Sequence, residues 1–295
     1  MAVRIGVNPI GWTNDDLETL GDDISLETCL EETRRAGYAG IELGRKFPRR
    51  PAELRAVLQQ HGLDLVSGWY GAHLLRRSVT EEVAAMRAHA GLLTALGSKA
   101  MVFAEETGAV HGRVGVPLSS RPRLADDDWA SFGQALTEVA DHVAGRGMRL
   151  AYHHHMGTVV ETEAEIDRLM HTTGPAVGLL LDTGHLTYAG GDVLGVAKRY
   201  ADRIVHVHCK DVRRAALVEA RRRDQSFLDA VVDGVFTVPG DGCVDYRALL
   251  EILRGAAYSG WLVVEAEQDP AKAHPLTYAR MGFAHLSRLL ADLRM

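Results

Sequence analysis

The chain has 295 residues, of which 46% are hydrophobic and 24% charged, and carries a formal net charge of −6. This is the make-up of a soluble globular protein with a large core, arranged as one big domain or two ordinary ones. The acidic balance excludes a blanket attraction for nucleic acid or anionic membranes, so the basic clusters Arg45 to Arg50 and Arg221 to Arg223 read as solvated surface.

In chain order, Val3 to Val7 is strand-like and ends at the turn signal Asn8-Pro9. Its apolar run is too short for a signal peptide. No window reaches the roughly 18 apolar residues of a membrane span, so a cytoplasmic protein without membrane partners is expected. A helix opens at Ser25 and stops at Gly37, and the second strand is Ala39 to Leu43. Pro51 starts a helix that ends at His61-Gly62. The third strand, Leu63 to Ser67, leads into a loop GWYGAH, and Thr80 caps a helix to Leu96. The fourth strand is Lys99 to Ala104, followed by a Gly-, Pro-, Ser- and Arg-rich insertion over 105–125. A helix over Asp126 to Ala144 precedes the fifth strand, RLAYHHH, which breaks at Gly157. After a helix over Thr162 to His171 come strand six, Val177 to Leu181, and a helix over Asp192 to Tyr200. Strand seven is Arg203 to Cys209, followed by a second insertion over 211–244. A helix over Tyr246 to Arg254, strand eight over Gly260 to Ala266 and a closing helix over Pro275 to Leu293 complete the chain.

Eight strands alternating with helices over about 250 residues plus insertions read as an α/β protein, a single (β/α)8 TIM barrel over residues 1–295. No phosphate-binding fingerprint supports the alternative doubly wound sheet. In Gly240-Asp241-Gly242 the place of a third glycine is taken by Asp245, so no nucleotide cofactor is expected. Cys29, Cys209 and Cys243 are far apart and lack a CxxC spacing, which excludes a thiolate zinc site and suits a reducing compartment.

In such barrels the chemistry lies at the C-terminal strand ends. Here those ends carry Asn8, Glu42, His73, His153 and His155, Asp182, His206 and His208, then Glu265 and Glu267. Taken singly, each is better read as a hydrogen-bonded side chain or a cap, and Asp182 as an Asx turn. Four neighbouring strands ending in histidine or carboxylate point instead to a metal site. Alternation places His153 with His155, and His206 with His208, on the lumen side, and turns His154 away. Imidazole and carboxylate without sulfur suit Mn²⁺, Co²⁺, Fe²⁺, Zn²⁺ or Mg²⁺.

LDTGH (181–185), IVHVHCKD (204–211) and WLVVEAE (261–267) resemble the metal strands of the xylose-isomerase-like barrels. GVNPIGWTND (6–15), GRKFPR (44–49), YHHHMGTVVET (152–162), FTVPGDG (236–242) and VVEAEQDPAKA (263–273) are similar to the inosose dehydratases of inositol catabolism. The resemblance implies metal ligands at Asp182, His208 and Glu265, with Mn²⁺ or Co²⁺ as the expected cofactor. Many relatives have a glutamate where this chain has His153, so the fourth ligand stays open between His153, His155 and water. The implied reaction is loss of water from 2-keto-myo-inositol, with His153 or His155 in one proton-transfer role and Glu265 or Glu267 in the other. Lys46, Lys210 and Arg213 are candidates to hold hydroxyls or polarise the carbonyl, and Trp12 and Trp69 to stack on the ring. Asn8, Glu42, His73, His185 and His206 complete the expected substrate-binding set. The two insertions are expected to act as lids. The expected partner is a small polyol ketone, and a homo-oligomer stays open. The competing readings are a ketose epimerase or isomerase, an apurinic-site endonuclease and a non-catalytic sugar-binding barrel.

Overall fold

The computed structural model describes residues 3–295. Eight parallel strands close into a barrel: β1 (Arg4–Val7), β2 (Gly40–Leu43), β3 (Asp64–Ala72), β4 (Ala100–Glu105), β5 (Arg149–His153), β6 (Val177–Asp182), β7 (Ile204–Cys209) and β10 (Trp261–Val264). Closure comes from β10, which pairs with β1 on one side and β7 on the other. The outer layer includes α1 (Leu26–Ala36), α2 (Pro51–Gln60), α3 (Val79–Leu96), α4 (Asp128–Ala144) and α5 (Glu163–Thr172). It is completed by α6 (Thr183–Ala189), α7 (Val193–Arg199), α10 (Tyr246–Gly255) and α11 (Pro275–Leu293). Among the described residues no helix is long and apolar enough to cross a membrane.

Alternation along β7 decides what faces where. Val207 and Cys209 are fully buried in the main apolar core between barrel and helices, and His206 and His208 point into the lumen. The same parity puts Leu179 and Leu181 of β6 into that core.

Three local expectations are corrected. β3 runs on through Trp69–Ala72, because these residues pair with Val102–Glu105 of β4; the expected loop GWYGAH is mostly strand. The cap of α3 is Ser78, not Thr80: its hydroxyl accepts from the Glu81 N–H while the Glu81 carboxylate accepts from the Ser78 N–H, a capping box. Finally, Asp182 is followed at once by the short helix α6, which the isolated Asx-turn reading did not contain.

The insertion after β7 carries a two-stranded antiparallel pair, β8 (Asp211–Val212) with β9 (Phe236–Thr237), and the helices α8 (Arg214–Arg222) and α9 (Phe227–Val232). It has its own apolar centre around Phe227, Phe236 and Val231. The insertion after β4 docks on it through Leu118 N–H to Gln225 O and the Ser119 hydroxyl to Asp224. Both therefore stand over the C-terminal mouth. A cavity of about 840 Å³ at the opposite mouth, bounded by Arg4, Lys99, Arg149 and Trp261, lies away from the clustered side chains.

Candidate metal centre and active site

Four strand ends converge at the C-terminal mouth. One ligand atom each from His153, Asp182, His208 and Glu265 lies within 4.8 Å of the others, and all four residues are buried. Ligands about 2.0–2.2 Å from a shared ion fall inside such a span. The local chain geometry explains the arrangement. Asp182 divides its carboxylate: Oδ1 accepts the His185 N–H at 2.7 Å and caps α6, which leaves Oδ2 buried without a hydrogen-bond partner. The Asx cap and the candidate ligand are thus the same residue. His208 likewise divides its ring. Nε2 lies 3.1 Å from Glu42 and Nδ1 2.6 Å from Glu265 Oε2, and Nδ1 has no aligned hydrogen bond.

Orphaned donors of this kind, aimed at one point and free of sulfur, fit a divalent cation. The electrostatics agree. Burial alone would lower the His208 imidazole, but Glu265 and Glu42 outweigh it and push the ring well above its usual range. The cluster draws positive charge to itself.

Beneath it, Glu42 accepts from Asn8 Nδ2 at 2.7 Å, from the Ser67 hydroxyl and from His206 at 2.9 Å. Burial opposes its charge, yet His208 and His206 hold the carboxyl well below the ordinary range. Glu42 is therefore placed to orient the imidazole of the candidate ligand His208, the kind of support that tunes metal sites. His154, turned out of the lumen as parity requires, accepts the Asp182 N–H at Nε2 (3.2 Å) and fixes the backbone of that ligand.

Beside the cluster lies a second set. Lys210 is fully buried, with Nζ 2.6 Å from Glu265 Oε1, 2.5 Å from Glu267 Oε1 and 2.8 Å from His185 Nε2. Three donors meet three acceptors. Its stem passes over Gly184, where a Cβ would come within 2.4 Å of Lys210 Cγ. Burial pushes the Glu267 carboxyl up to about 8 despite Lys210, and its Oε2 is unpartnered. His155 bonds the Met156 carbonyl through Nδ1 at 2.8 Å, so Nδ1 donates and Nε2 carries the lone pair. Trp69 stands edge-on to His153 and His155, with centroids 5.2 and 5.4 Å away, its indole N–H donated to Glu106. A cavity of about 80 Å³ lies over this floor, bounded by Trp69, His155, His208, Glu265 and Glu267.

Several expected substrate contacts are placed elsewhere. Lys46 donates to the carbonyls of Gly21, Asp22 and Ile24 and pins that loop. Arg213 clasps the insertion through Gly234 O, Thr237 and Asp241. Trp12 is buried in the core and donates to Glu32. His73 is held at the start of the next loop, its N–H on Glu82. Asn8, Glu42 and His206 are near the site, but their polar atoms are satisfied within the protein. His185, Lys210 and Trp69 do reach it. Asp16, which lines the cavity, and His111, whose ring packs edge-on against His155, have no motif that marks them in the sequence.

The buried imidazoles make the fold acid-labile. Burial depresses His153, His155, His185 and His206, and takes His154 down to about 3. A ring neutral in the fold but titrating near 6.5 when unfolded contributes stability that is complete above that value. The contribution is lost at up to about 1.4 kcal/mol per pH unit per ring as pH falls, until the folded-state value is reached. Because Glu267, raised to about 8, and His208, raised well above its usual range, take up protons in the fold first, metal-free protein is expected to show a thermal midpoint that rises slightly from pH 8 to about 6.5 and drops towards pH 5. A flat profile down to pH 5 would contradict the burial of these rings.

The family profile described as xylose isomerase-like TIM barrel matches residues 30–289, and the chain belongs to that family. The rhizopine catabolism protein MocC of Rhizobium meliloti is 53% identical over 291 residues, 99% of this chain and 90% of that protein. An inosose dehydratase of Geobacillus thermodenitrificans is 44% identical over 94% of each chain. The solved IOLI protein with a binding zinc atom superposes with a TM-score of 0.68 at 17% identity, covering 98% of this chain and 97% of that one, which speaks to the fold.

Proposed function

We propose that this chain is an inosose dehydratase of inositol catabolism, a metal-dependent hydro-lyase acting on 2-keto-myo-inositol (scyllo-inosose) to give a trihydroxycyclohexane-dione. Full-length identity to proteins named inosose dehydratase carries the reading. The divalent ion, Mn²⁺ or Co²⁺, would be held by Asp182, His208, Glu265 and His153, whose donor atoms already converge. The likeness to the rhizopine catabolism protein supports rhizopine breakdown as a second setting for the same chemistry.

When bound, the cation supplies Lewis-acid polarisation of the substrate carbonyl. The chain's own groups move the protons. The carbon beside the carbonyl is the acidic one, and His155 Nε2, whose lone pair is set by the Nδ1 bond to Met156, takes its proton. Glu267, with Oε2 free, gives a proton to the departing β-hydroxyl, which leaves as water. The resulting enol collapses to the second carbonyl. Lys210 holds Glu265 and Glu267 in place and balances the charge that Glu265 carries and that Glu267 acquires on giving up its proton. Trp69 offers an apolar edge to the ring. His153 and Glu265 face the ligand cluster, so the two proton-transfer roles fall to His155 and Glu267.

The test is direct. Metal-stripped protein mixed with scyllo-inosose is expected to give no dione absorbance, and Mn²⁺ or Co²⁺ to restore it. Metal-independent turnover, or exchange of substrate protons with solvent without dione, would refute the reading; the latter is the behaviour of an epimerase.

A further inference from the structure

Two neighbouring side chains have no role in the chemistry above: Asp16 lines the cavity, and His111 stands against the cavity-lining rings of His155 and Trp69. Asp16 comes from the loop after β1 and His111 from the insertion after β4. His111 Nε2 stands 3.9 Å from Asp16 Oδ1, too far for a hydrogen bond. Its ring is edge-on to His155, centroids 4.9 Å apart, and its Nδ1 is buried without a partner. The residue is only 8% exposed. A buried polar atom left unmade costs about 1–3 kcal/mol, which an arriving hydroxyl would relieve. Asp16 lines the cavity beside Glu265 and Glu267 with 29% of its side chain exposed.

The His111 segment is held by the loop that follows His155. Val110 N–H donates to Gly157 O at 3.0 Å, and Gly157 has φ +79°. A Cβ there would lie 2.8 Å from His111 N, so glycine is needed for the close approach. The cavity's volume, about 80 Å³, is well below the about 300 Å³ at which ligand pockets begin. At about 30 Å³ per water it suits a few waters, not a six-membered polyol. A ring ketone that reaches the ligand cluster must therefore widen the cavity, and Asp16 on its wall and the unpartnered His111 Nδ1 beside His155 are the polar groups that such widening brings within reach. A carboxylate accepts from two hydroxyls and an imidazole adds one more donor or acceptor, a set matched to a vicinal diol.

We propose that Asp16 and His111 are the specificity-determining pair, hydrogen-bonding vicinal hydroxyls on the ring edge remote from the ligand cluster and selecting cyclic polyol ketones over deoxy ring ketones. The inference rests on the dehydratase reading. It is tested with metal-loaded Asp16→Asn and His111→Phe, comparing scyllo-inosose with a ring ketone lacking one hydroxyl. Each variant is expected to raise KM for scyllo-inosose about 10- to 100-fold, as loss of a hydrogen bond to a charged or buried group implies. The kcat should change much less, bound metal should be unchanged, and the preference over the deoxy ketone should shrink by the same factor. An unchanged KM in both variants, or an unchanged preference, would overturn the proposal. Calorimetric binding of scyllo-inosose separates the two readings. If wild-type protein binds but does not turn over, the dehydratase reading fails while weakened binding in the variants still upholds the pair. If wild-type protein does not bind it, both fall.

Discussion

Asp182→Asn is expected to abolish metal retention and lower kcat/KM at least about 10³-fold, since Lewis-acid polarisation contributes several kcal/mol and each 1.4 kcal/mol is tenfold. The substitution is chosen because Asp182 has two jobs. Oδ1 caps α6 by accepting the His185 N–H, and Asn caps as well as Asp does. Oδ2 is the buried, unpartnered oxygen that faces His208 Nδ1 at 3.6 Å and His153 Nε2 at 3.5 Å. Asparagine thus keeps the helix start and removes the ligand charge. Elemental analysis of the purified variant and steady-state turnover give the two readouts, with the thermal midpoint as the control for folding. Asp182→Ala should lose the cap too, about 1 kcal/mol of further stability. Retained metal and retained turnover in Asp182→Asn would mean that the four-residue cluster is not the metal site.

Much of this was legible along the chain because barrel strands obey a two-residue period. The alternation in IVHVHC sends His206 and His208 inward and Val207 and Cys209 outward, as the buried core requires. The same rule removes His154 from the lumen. What strand parity cannot express is depth. Glu42, His206 and His208 all face inward, yet Glu42, although it borders the cavity, is used up on Asn8, Ser67, His206 and His208. Which lumen residue contacts a ligand and which supports it depends on strand tilt and register between β2 and β7, and neither is written locally. The extension of β3 was hidden for a related reason. Glycines 68 and 71 look like loop residues, but pairing of Gly68 with Leu43 of β2 and of Gly71 with Ala104 of β4 outweighs their weak strand preference. Cations misled most. Lys46, Lys210 and Arg213 are indistinguishable as charged residues after strand ends. Only the tertiary structure shows that Lys46 and Arg213 tie loops together whereas Lys210 is buried among carboxylates.

That last distinction leads to the second large effect. Lys210→Met keeps an unbranched stem against Gly184 and deletes the ammonium. In metal-free protein this leaves Glu265 and Asp182, whose Oδ2 lies 3.8 Å from the ammonium, without their buried counter-charge, and Glu267 without its donor. Breaking a buried ion pair by removing one partner costs about 3–5 kcal/mol. For a chain of this size 1 kcal/mol corresponds to about 2–4 °C, so the apo midpoint should fall by roughly 6–20 °C. A divalent ion in the neighbouring cluster would neutralise Glu265 and Asp182, and the deficit should narrow when Mn²⁺ is added. Turnover should remain about 10²–10³-fold low even in the metal-loaded variant, because a preorganised charge beside the reacting oxygens is gone. Lys210→Arg is not expected to rescue either property. A planar guanidinium cannot place three donors where one Nζ meets Glu265, Glu267 and His185, and Gly184 leaves room only for a slender stem. The informative quantity is the difference between apo and Mn²⁺-loaded midpoints, measured for wild type and variant side by side. Equal losses in both forms would make Lys210 a packing residue; a loss concentrated in the apo form would make it the protein's own cation, balancing the carboxylates that face substrate.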